Sequence, residues 1–190
     1  MRQSVAGVLL AGGLSTRMGA DKALVDLNGA PMIAHVAKRF APQVGALAIS
    51  ANGDARRFDF LGLEVIADDA PATGPLAGVA AALAWARHRG FAALATAPCD
   101  APFVPLDLVA RLNAAPGPLA VAACARRIEP LFALWSVDAL DALNAARAAG
   151  ETSPRAALIA LGAAHVAFEN ADGFANLNTP GQLAAARARV

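Results

Sequence analysis

Short apolar runs alternate along this chain with longer stretches in which apolar residues recur every three or four positions. Residues 5–10, 46–51, 63–67, 91–97, 119–124, 131–135 and 164–168 are of the first kind. Each has the length and composition of a strand, and those at 5–10 and 91–97 are apolar throughout. The second kind predicts helices. Residues 31–40 carry Met32, Ile33, Val36 and Phe40 at helical spacing behind Pro31. An alanine-rich helix is predicted over 74–88, ending near Gly90, and others over 105–113 and 137–149, the latter stopped by Gly150. Thr152-Ser153-Pro154 opens a helix to Leu161, and Asn178-Thr179-Pro180 launches a terminal one. Strands alternating with helices predict a single α/β domain: a Rossmann-like three-layer sandwich around a mostly parallel, mixed sheet. Ligands of such sheets bind beyond the carboxyl ends of the strands.

Composition alters this picture in one respect. Hydrophobic residues make up 57% of the 190 and charged residues only 16%, with a mean hydropathy of +0.47. Soluble domains carry roughly 25% charged residues, so the averages alone would suit a membrane protein. The patterning argues otherwise. The longest apolar stretch, 75–86, is shorter than the ~20 residues of a spanning helix and runs into Arg87-His88-Arg89. About a quarter of the residues are alanine, which raises the hydropathy while adding little area to bury. A net charge of +1 without a basic run excludes the electrostatic footprint of a nucleic-acid binder. The first apolar run breaks at Gly12-Gly13, too early for a secretory signal. Cys99 and Cys124 stand far apart with no C-x-x-C, which predicts a cytoplasmic chain without a disulfide framework or zinc site. His35, His88 and His165 are isolated from one another and are read as structural or surface residues.

The densest candidate chemistry follows the first strand, at Leu10-Ala11-Gly12-Gly13-Leu14-Ser15-Thr16-Arg17-Met18-Gly19-Ala20-Asp21-Lys22. The glycines let backbone N–H groups approach an anion. Ser15 and Thr16 add hydroxyl donors, and Arg17 and Lys22 add positive charge, so the loop suits a polyphosphate. It is not a Walker A loop, because five residues separate Gly13 from Gly19 and Ala20 follows. Nor is it the dinucleotide fingerprint, since Gly12 and Gly13 are adjacent. Asp100 is the second candidate: the only charged residue between Arg89 and Asp107, directly after an apolar strand. A carboxylate there must be hydrogen-bonded, solvated or bound to a cation, and it reads either as a turn cap before Pro102 or as a Mg²⁺ ligand. Cys99 beside it has no sequence neighbour that would lower its pKa, and is read as a packing residue.

The loop L-x-G-G-x-S-x-R-M-G-x-D-K resembles the signature of nucleotidyltransferases with the α/β pyrophosphorylase fold. Its Gly-Gly and Asp-Lys forms are most similar to the molybdenum cofactor guanylyltransferase family. Leu27-Asn28-Gly29-Ala30-Pro31-Met32, Ala67-Asp68, Gly74-Pro75-Leu76-Ala77-Gly78, Ala97-Pro98-Cys99-Asp100-Ala101-Pro102-Phe103, Glu129-Pro130 and Asn176-Leu177-Asn178-Thr179-Pro180 continue the resemblance in family order over nearly the whole chain. It implies a fold of the nucleotide-diphospho-sugar transferase type. The implied reaction is transfer of GMP from GTP to the phosphate of molybdopterin, with release of pyrophosphate. Mg²⁺ is the implied cofactor, with Mn²⁺ as a substitute, and cofactor-insertion proteins or molybdoenzyme chaperones are the implied transient partners.

By the same resemblance, Arg17, Lys22 and Asp100 are catalytic, and Asp100 holds the metal. Leu10, Ala11, Gly12, Gly13, Lys22, Ser50, Asp68 and Asp100 bind the nucleotide. Adjacent Asp69 is read as a surface carboxylate. Relatives often carry Asn where this chain has Ser50, and Asn52 follows two residues later, so either could serve that position. Gly74 to Gly78 either approaches the ligand or packs a helix tightly on the sheet. Asn176 and Asn178 fall in the stretch implied to lie near the pterin, while Asn178 or Thr179 could equally be a helix cap. Arg155, or the pair Arg126-Arg127, is the candidate for the pterin's phosphate, since Arg matches phosphate with a planar fork. A nucleotidyltransferase with another base or acceptor, and a non-catalytic GTP-binding module, are the alternatives.

Overall fold

The computed structural model describes residues 5–12, 21–68, 74–125 and 127–189. In chain order the strands are β1 (Val5–Leu10), β2 (Asp26–Leu27), β3 (Ala30–Pro31), β4 (Leu47–Ser50), β5 (Glu64–Ile66), β6 (Ala93–Pro98), β7 (Leu119–Cys124), β8 (Arg127–Ser136) and β9 (Ala164–Phe168). The helices are α1 (Met32–Phe40), α2 (Pro75–His88), α3 (Leu108–Asn113), α4 (Leu140–Ala148), α5 (Pro154–Ala160) and α6 (Pro180–Arg187). Seven strands form one sheet in the order β5-β4-β1-β6-β8-β7-β9. β1 runs parallel to β4 and β6, β4 to β5, and β7 to β9, while β8 is antiparallel to both of its neighbours. The sheet is therefore mostly parallel and mixed, as the pattern of runs predicts.

Both faces are covered, which is why the strands have so little polar alternation. Along β1, Val5 and Leu9 pack on one side with Ile33, Val36 and Phe40 of α1 and Leu108 and Leu112 of α3. Ala6 and Val8 pack on the other with Leu76, Val79 and Leu83 of α2, Leu140 and Leu143 of α4, and Leu158 of α5. Successive side chains of a strand point to opposite faces, so one six-residue run anchors both layers. Each fully buried Leu, Ile or Val contributes roughly 1.5–3 kcal/mol relative to exposure. Among the described residues no helix is long and apolar enough to cross a membrane.

Several element boundaries differ from expectation for identifiable reasons. The helix predicted from Pro31 starts at Met32, because Pro31 belongs to β3 in a small hairpin. That hairpin turns at Asn28-Gly29, whose φ values of 53° and 86° suit the two-residue turn such a pair favours. The strand expected at 131–135 runs from Arg127 to Ser136. Its register against β7 jumps from Val121–Ala133 to Ala122–Glu129, and Pro130, with no N–H to donate, lies in the irregular stretch. The helix expected over 105–113 is confined to α3. The stretch 137–149 divides into a 3₁₀ turn, Val137–Ala139, capped by the Ser136 side chain, and then α4. Residues 52–61, to which the hydrophobic pattern assigns no element, contain a 3₁₀ helix, Ala55–Leu61, capped by Asp54.

Candidate active site

The carboxyl ends of β5, β4, β1 and β6 lie side by side, and three backbone hydrogen bonds carry the pairing just past the strands. Ala51 N–H donates to Ile66 O at 3.0 Å, Ala11 N–H to Ser50 O at 2.8 Å, and Cys99 N–H to Leu10 O at 3.1 Å. Leu10, Ala11, Gly12, Ser50, Asp68 and Asp100 thus share one edge of the sheet. A side chain added at Gly12 would meet no described residue within 4 Å. Gly13 and Arg17 lie outside the described residues, as do Ser15, Thr16, Asp69 and Arg126.

Lys22 and Asp100 meet at this edge, their side chains 23% and 13% exposed, with Nζ 3.7 Å from Oδ2. Lys22 enters from a single 3₁₀ turn, Lys22–Leu24, which Asp21 caps by accepting the Ala23 N–H at 3.1 Å. Burial pushes the Asp100 carboxyl above the usual carboxylate range, and Lys22 only partly opposes this. A half-desolvated carboxylate with one ammonium neighbour is well suited to a divalent cation, which takes one or two carboxylates plus ligand oxygens and water. No group of three or more potential metal-binding side chains exists among the described residues. Among the described residues Asp100 is the carboxylate at this edge that meets Lys22, and it is the candidate to hold a metal together with oxygens of a bound ligand. Cys99, buried beside Asp100, has its thiol pushed up by burial and by neighbouring carboxylates; a thiol so placed is inert, as the sequence suggests.

The late Asn-rich stretch is joined to this point by backbone as well as side chain. Leu177 N–H donates to Asp100 O at 2.8 Å, and Lys22 Nζ donates to Asn178 Oδ1. The alternatives left open at 178 and 179 now separate. Thr179 is the cap of α6, in a reciprocal capping box with Gln182, whereas the Asn178 carboxamide faces Lys22. Asn176 sits one residue before Leu177, with a buried Oδ1 that has no hydrogen-bond partner among the described residues.

On the opposite flank, Asn52 Nδ2 donates to Asp68 Oδ2 at 3.0 Å and Asp68 N–H donates to Asn52 Oδ1 at 3.2 Å. This pair holds the carboxylate at the end of β5. Ser50 is 2% exposed and faces the first turn of α2, where a Cβ on Gly78 would lie 2.5 Å from Ser50 Oγ. Gly78 therefore serves close helix–sheet packing. Gly74 has φ 78° and ψ −175° at the N-cap of α2, a conformation essentially confined to glycine.

Arg155 is not drawn into this cluster. It is exposed on the first turn of α5, near the start of α2, where Thr152 O lies 3.2 Å from a Cβ placed on Gly74. Arg127 is exposed and pairs with Glu129 at 3.0 Å. Arg57, to which the sequence pattern gives no role, does reach the loop: its Nε lies 3.0 Å from Asp21 Oδ2. Its only sequence signal is the Asn52-Gly53-Asp54 turn that starts the 3₁₀ helix carrying it. The histidines stay outside the cluster. His35 Nε2 is hydrogen-bonded to Leu27 O at 2.7 Å, and His88 and His165 are exposed.

Comparison with known proteins gives the class that this fold carries: a nucleotidyltransferase of the α/β type. The family described as MobA-like NTP transferase domain matches residues 7–166, and the chain belongs to that family. It is 48% identical over 182 residues to the molybdenum cofactor guanylyltransferase of Cereibacter sphaeroides, covering 95% of this chain and 94% of that protein. It is 48% identical over 189 residues to the protein of the same name from Rhodobacter capsulatus, covering 98% and 96%. Among solved structures it is similar to molybdopterin-guanine dinucleotide biosynthesis protein A from Archaeoglobus fulgidus, with a TM-score of 0.75, 26% identity and 97% of each chain covered. A nucleotidyl transferase from Methanothermobacter, at 18% identity and a TM-score of 0.77, shares the fold.

Proposed function

We propose that this chain is a molybdenum cofactor guanylyltransferase, transferring GMP from GTP to the terminal phosphate of molybdopterin. The observation that carries the reading is the 48% identity, over 95% of the chain, to proteins of that name. A phosphate oxygen of the pterin attacks the α-phosphorus of GTP, the bond from that phosphorus to the bridging oxygen of the β-phosphate breaks, and pyrophosphate leaves with the bond's electron pair. The acceptor is already largely dianionic at neutral pH, since a phosphate monoester has its second pKa near ~6. No proton need be removed, which agrees with histidines that lie outside the cluster.

Leu10, Ala11, Gly12 and Gly13 offer backbone groups to the nucleoside and phosphates, and Ser50 and Asp68 flank the base and ribose. Lys22 and Arg17 neutralise charge on the polyphosphate, which is the main electrostatic demand of such a transfer. Lys22 is pre-aimed by Asn178, so its ammonium need not be ordered when the nucleotide arrives. Asp100 would hold Mg²⁺, or Mn²⁺ in its place, and the bound ion would supply charge neutralisation on phosphate oxygens. Asn176, Asn178 and Arg155 are the residues proposed to contact the pterin. Two free cysteines suit work in the reducing cytoplasm. Because the pterin is labile, its hand-over would involve transient contact with cofactor-insertion proteins or molybdoenzyme chaperones.

The test is incubation with Mg²⁺, molybdopterin and GTP, CTP or ATP in separate arms, followed by detection of pyrophosphate and of the dinucleotide. GTP alone is expected to support product. Preference for CTP would reassign the base, and absence of dinucleotide from every arm would overturn the reading.

A further inference from the structure

We propose that Arg57 is a positioning residue of this site: it neutralises and anchors Asp21, so that the Lys22 turn presents a net positive face to the nucleotide's phosphates. The inference rests on the nucleotide-transfer reading above and adds to it a residue from a different segment.

Asp21 divides its two carboxylate oxygens. Oδ1 caps the turn that carries Lys22, at 3.1 Å from Ala23 N, and Oδ2 faces Arg57 Nε at 3.0 Å. The two side chains are only 23% and 33% exposed, so water screens them incompletely. Asp21 immediately precedes the lysine that meets Asp100, and its charge is felt as far as Cys99, beside Asp100. Left alone, this carboxylate would add a negative charge next to a site that must accept a polyphosphate. Arg57 cancels it.

The arginine is itself held firmly. Its Nη1 donates to Asp54 O at 2.9 Å, and its guanidinium lies 4.6 Å from the centre of the Phe58 ring. Phe58 is fully buried, which fixes the 3₁₀ helix on the core. A Cβ at Gly53 would come within 3.3 Å of Nη1, so the preceding turn also closes on the guanidinium. The Nε–H is buried and makes no hydrogen bond among the described residues, although the carboxylate is close. The link between Arg57 and Asp21 is therefore one of charge rather than of a bidentate fork, and another cation at the same position should preserve much of it.

The experiment separates a charge role from a packing role by second-site rescue. Arg57→Ala is expected to raise the dissociation constant and KM for GTP about fivefold, equivalent to roughly 1 kcal/mol. Arg57→Lys is expected to stay within about twofold of the unsubstituted protein, as a charge-only link implies. Adding Asp21→Asn to Arg57→Ala removes the exposed charge yet keeps an oxygen to cap the turn. This double variant is expected to recover GTP affinity to within about twofold of the starting value. Unchanged GTP binding in Arg57→Ala overturns the proposal, and so does a loss that Asp21→Asn fails to relieve. Should Arg57→Ala not fold, by its thermal melt, the same comparison is made with Arg57→Gln, which keeps bulk over Phe58. GTP affinity is read calorimetrically without acceptor, so failure of the pterin reaction in the unsubstituted protein is distinguishable from failure of this assignment.

Discussion

Gly78 offers the sharpest energetic test of the packing between α2 and the carboxyl end of β4. It lies in the first turn of α2, within the 14-residue helix Pro75–His88. In a helix interior, Gly→Ala ordinarily stabilises by about 0.8–1.0 kcal/mol, because glycine loses more backbone entropy. Here the added methyl would come 2.5 Å from Ser50 Oγ and 3.6 Å from Ser50 Cβ. The first distance requires a shift; the second is ordinary contact. Ser50 is 2% exposed, so its hydroxyl has little room to retreat, and overpacking of this kind costs typically 1–3 kcal/mol.

Gly78→Ala is therefore expected to lose about 1 kcal/mol net, the overpacking outweighing the helix gain, which lowers Tm by about 2–4 °C in a chain of this size. In a Ser50→Ala background the clash disappears, and the same substitution is expected to gain about 1 kcal/mol. The interaction energy between the two sites is then about 2 kcal/mol, with opposite signs of the Gly78 effect in the two backgrounds. Urea unfolding of the four variants measures it. A Gly78 effect of equal size and sign in both backgrounds would refute the reasoning, because nothing else at Gly78 distinguishes them.

Burial raises the Asp100 pKa, so the carboxyl is more easily ionised in the unfolded chain than in the fold. The associated stability is fully present below the ordinary carboxylate range and is lost as pH rises through the elevated folded value. In a chelating buffer Asp100→Asn is therefore expected to exceed the unsubstituted protein in urea midpoint near neutrality, with the gap closing at acid pH, while with Mg²⁺ restored its turnover is abolished. A gap independent of pH would count against this account. Arg155→Ala is expected to raise KM for the pterin several-fold, the scale of a lost charge-assisted contact, and to leave GTP affinity unchanged. Steady-state kinetics with each substrate varied in turn checks this, and an unaltered pterin KM removes Arg155 from the acceptor site.

Much of this architecture is legible in local patterns. The run at 5–10 must be buried on both faces because it contains no polar residue, and that requires a covered parallel sheet. The glycine loop and the lone Asp100 fall at strand ends in the sequence itself, and the topology of an open α/β sheet makes those ends the ligand edge. Signals that depend on chain neighbours, such as Pro154 behind Thr152-Ser153 and Pro180 behind Asn178-Thr179, mark helix starts as well.

What the linear order could not contain is which distant side chains meet. Lys22 and Asn178 are separated by 156 residues, and they touch because Leu177 N–H binds the backbone of Asp100. Thr179 and Asn178 are equally good caps on paper; in the fold Thr179 caps α6 with Gln182, and Asn178 meets Lys22. Arg57 lies in a segment whose pattern marks no element, and it acquires a role only once the 3₁₀ helix sets it against Asp21. Gly78 could approach a ligand or pack its helix on the sheet until Ser50 is seen to lie against it. Periodicity and propensity act over a few residues, whereas these contacts follow from strand order and layer packing, where the separation along the chain no longer limits which charges and methyl groups come together.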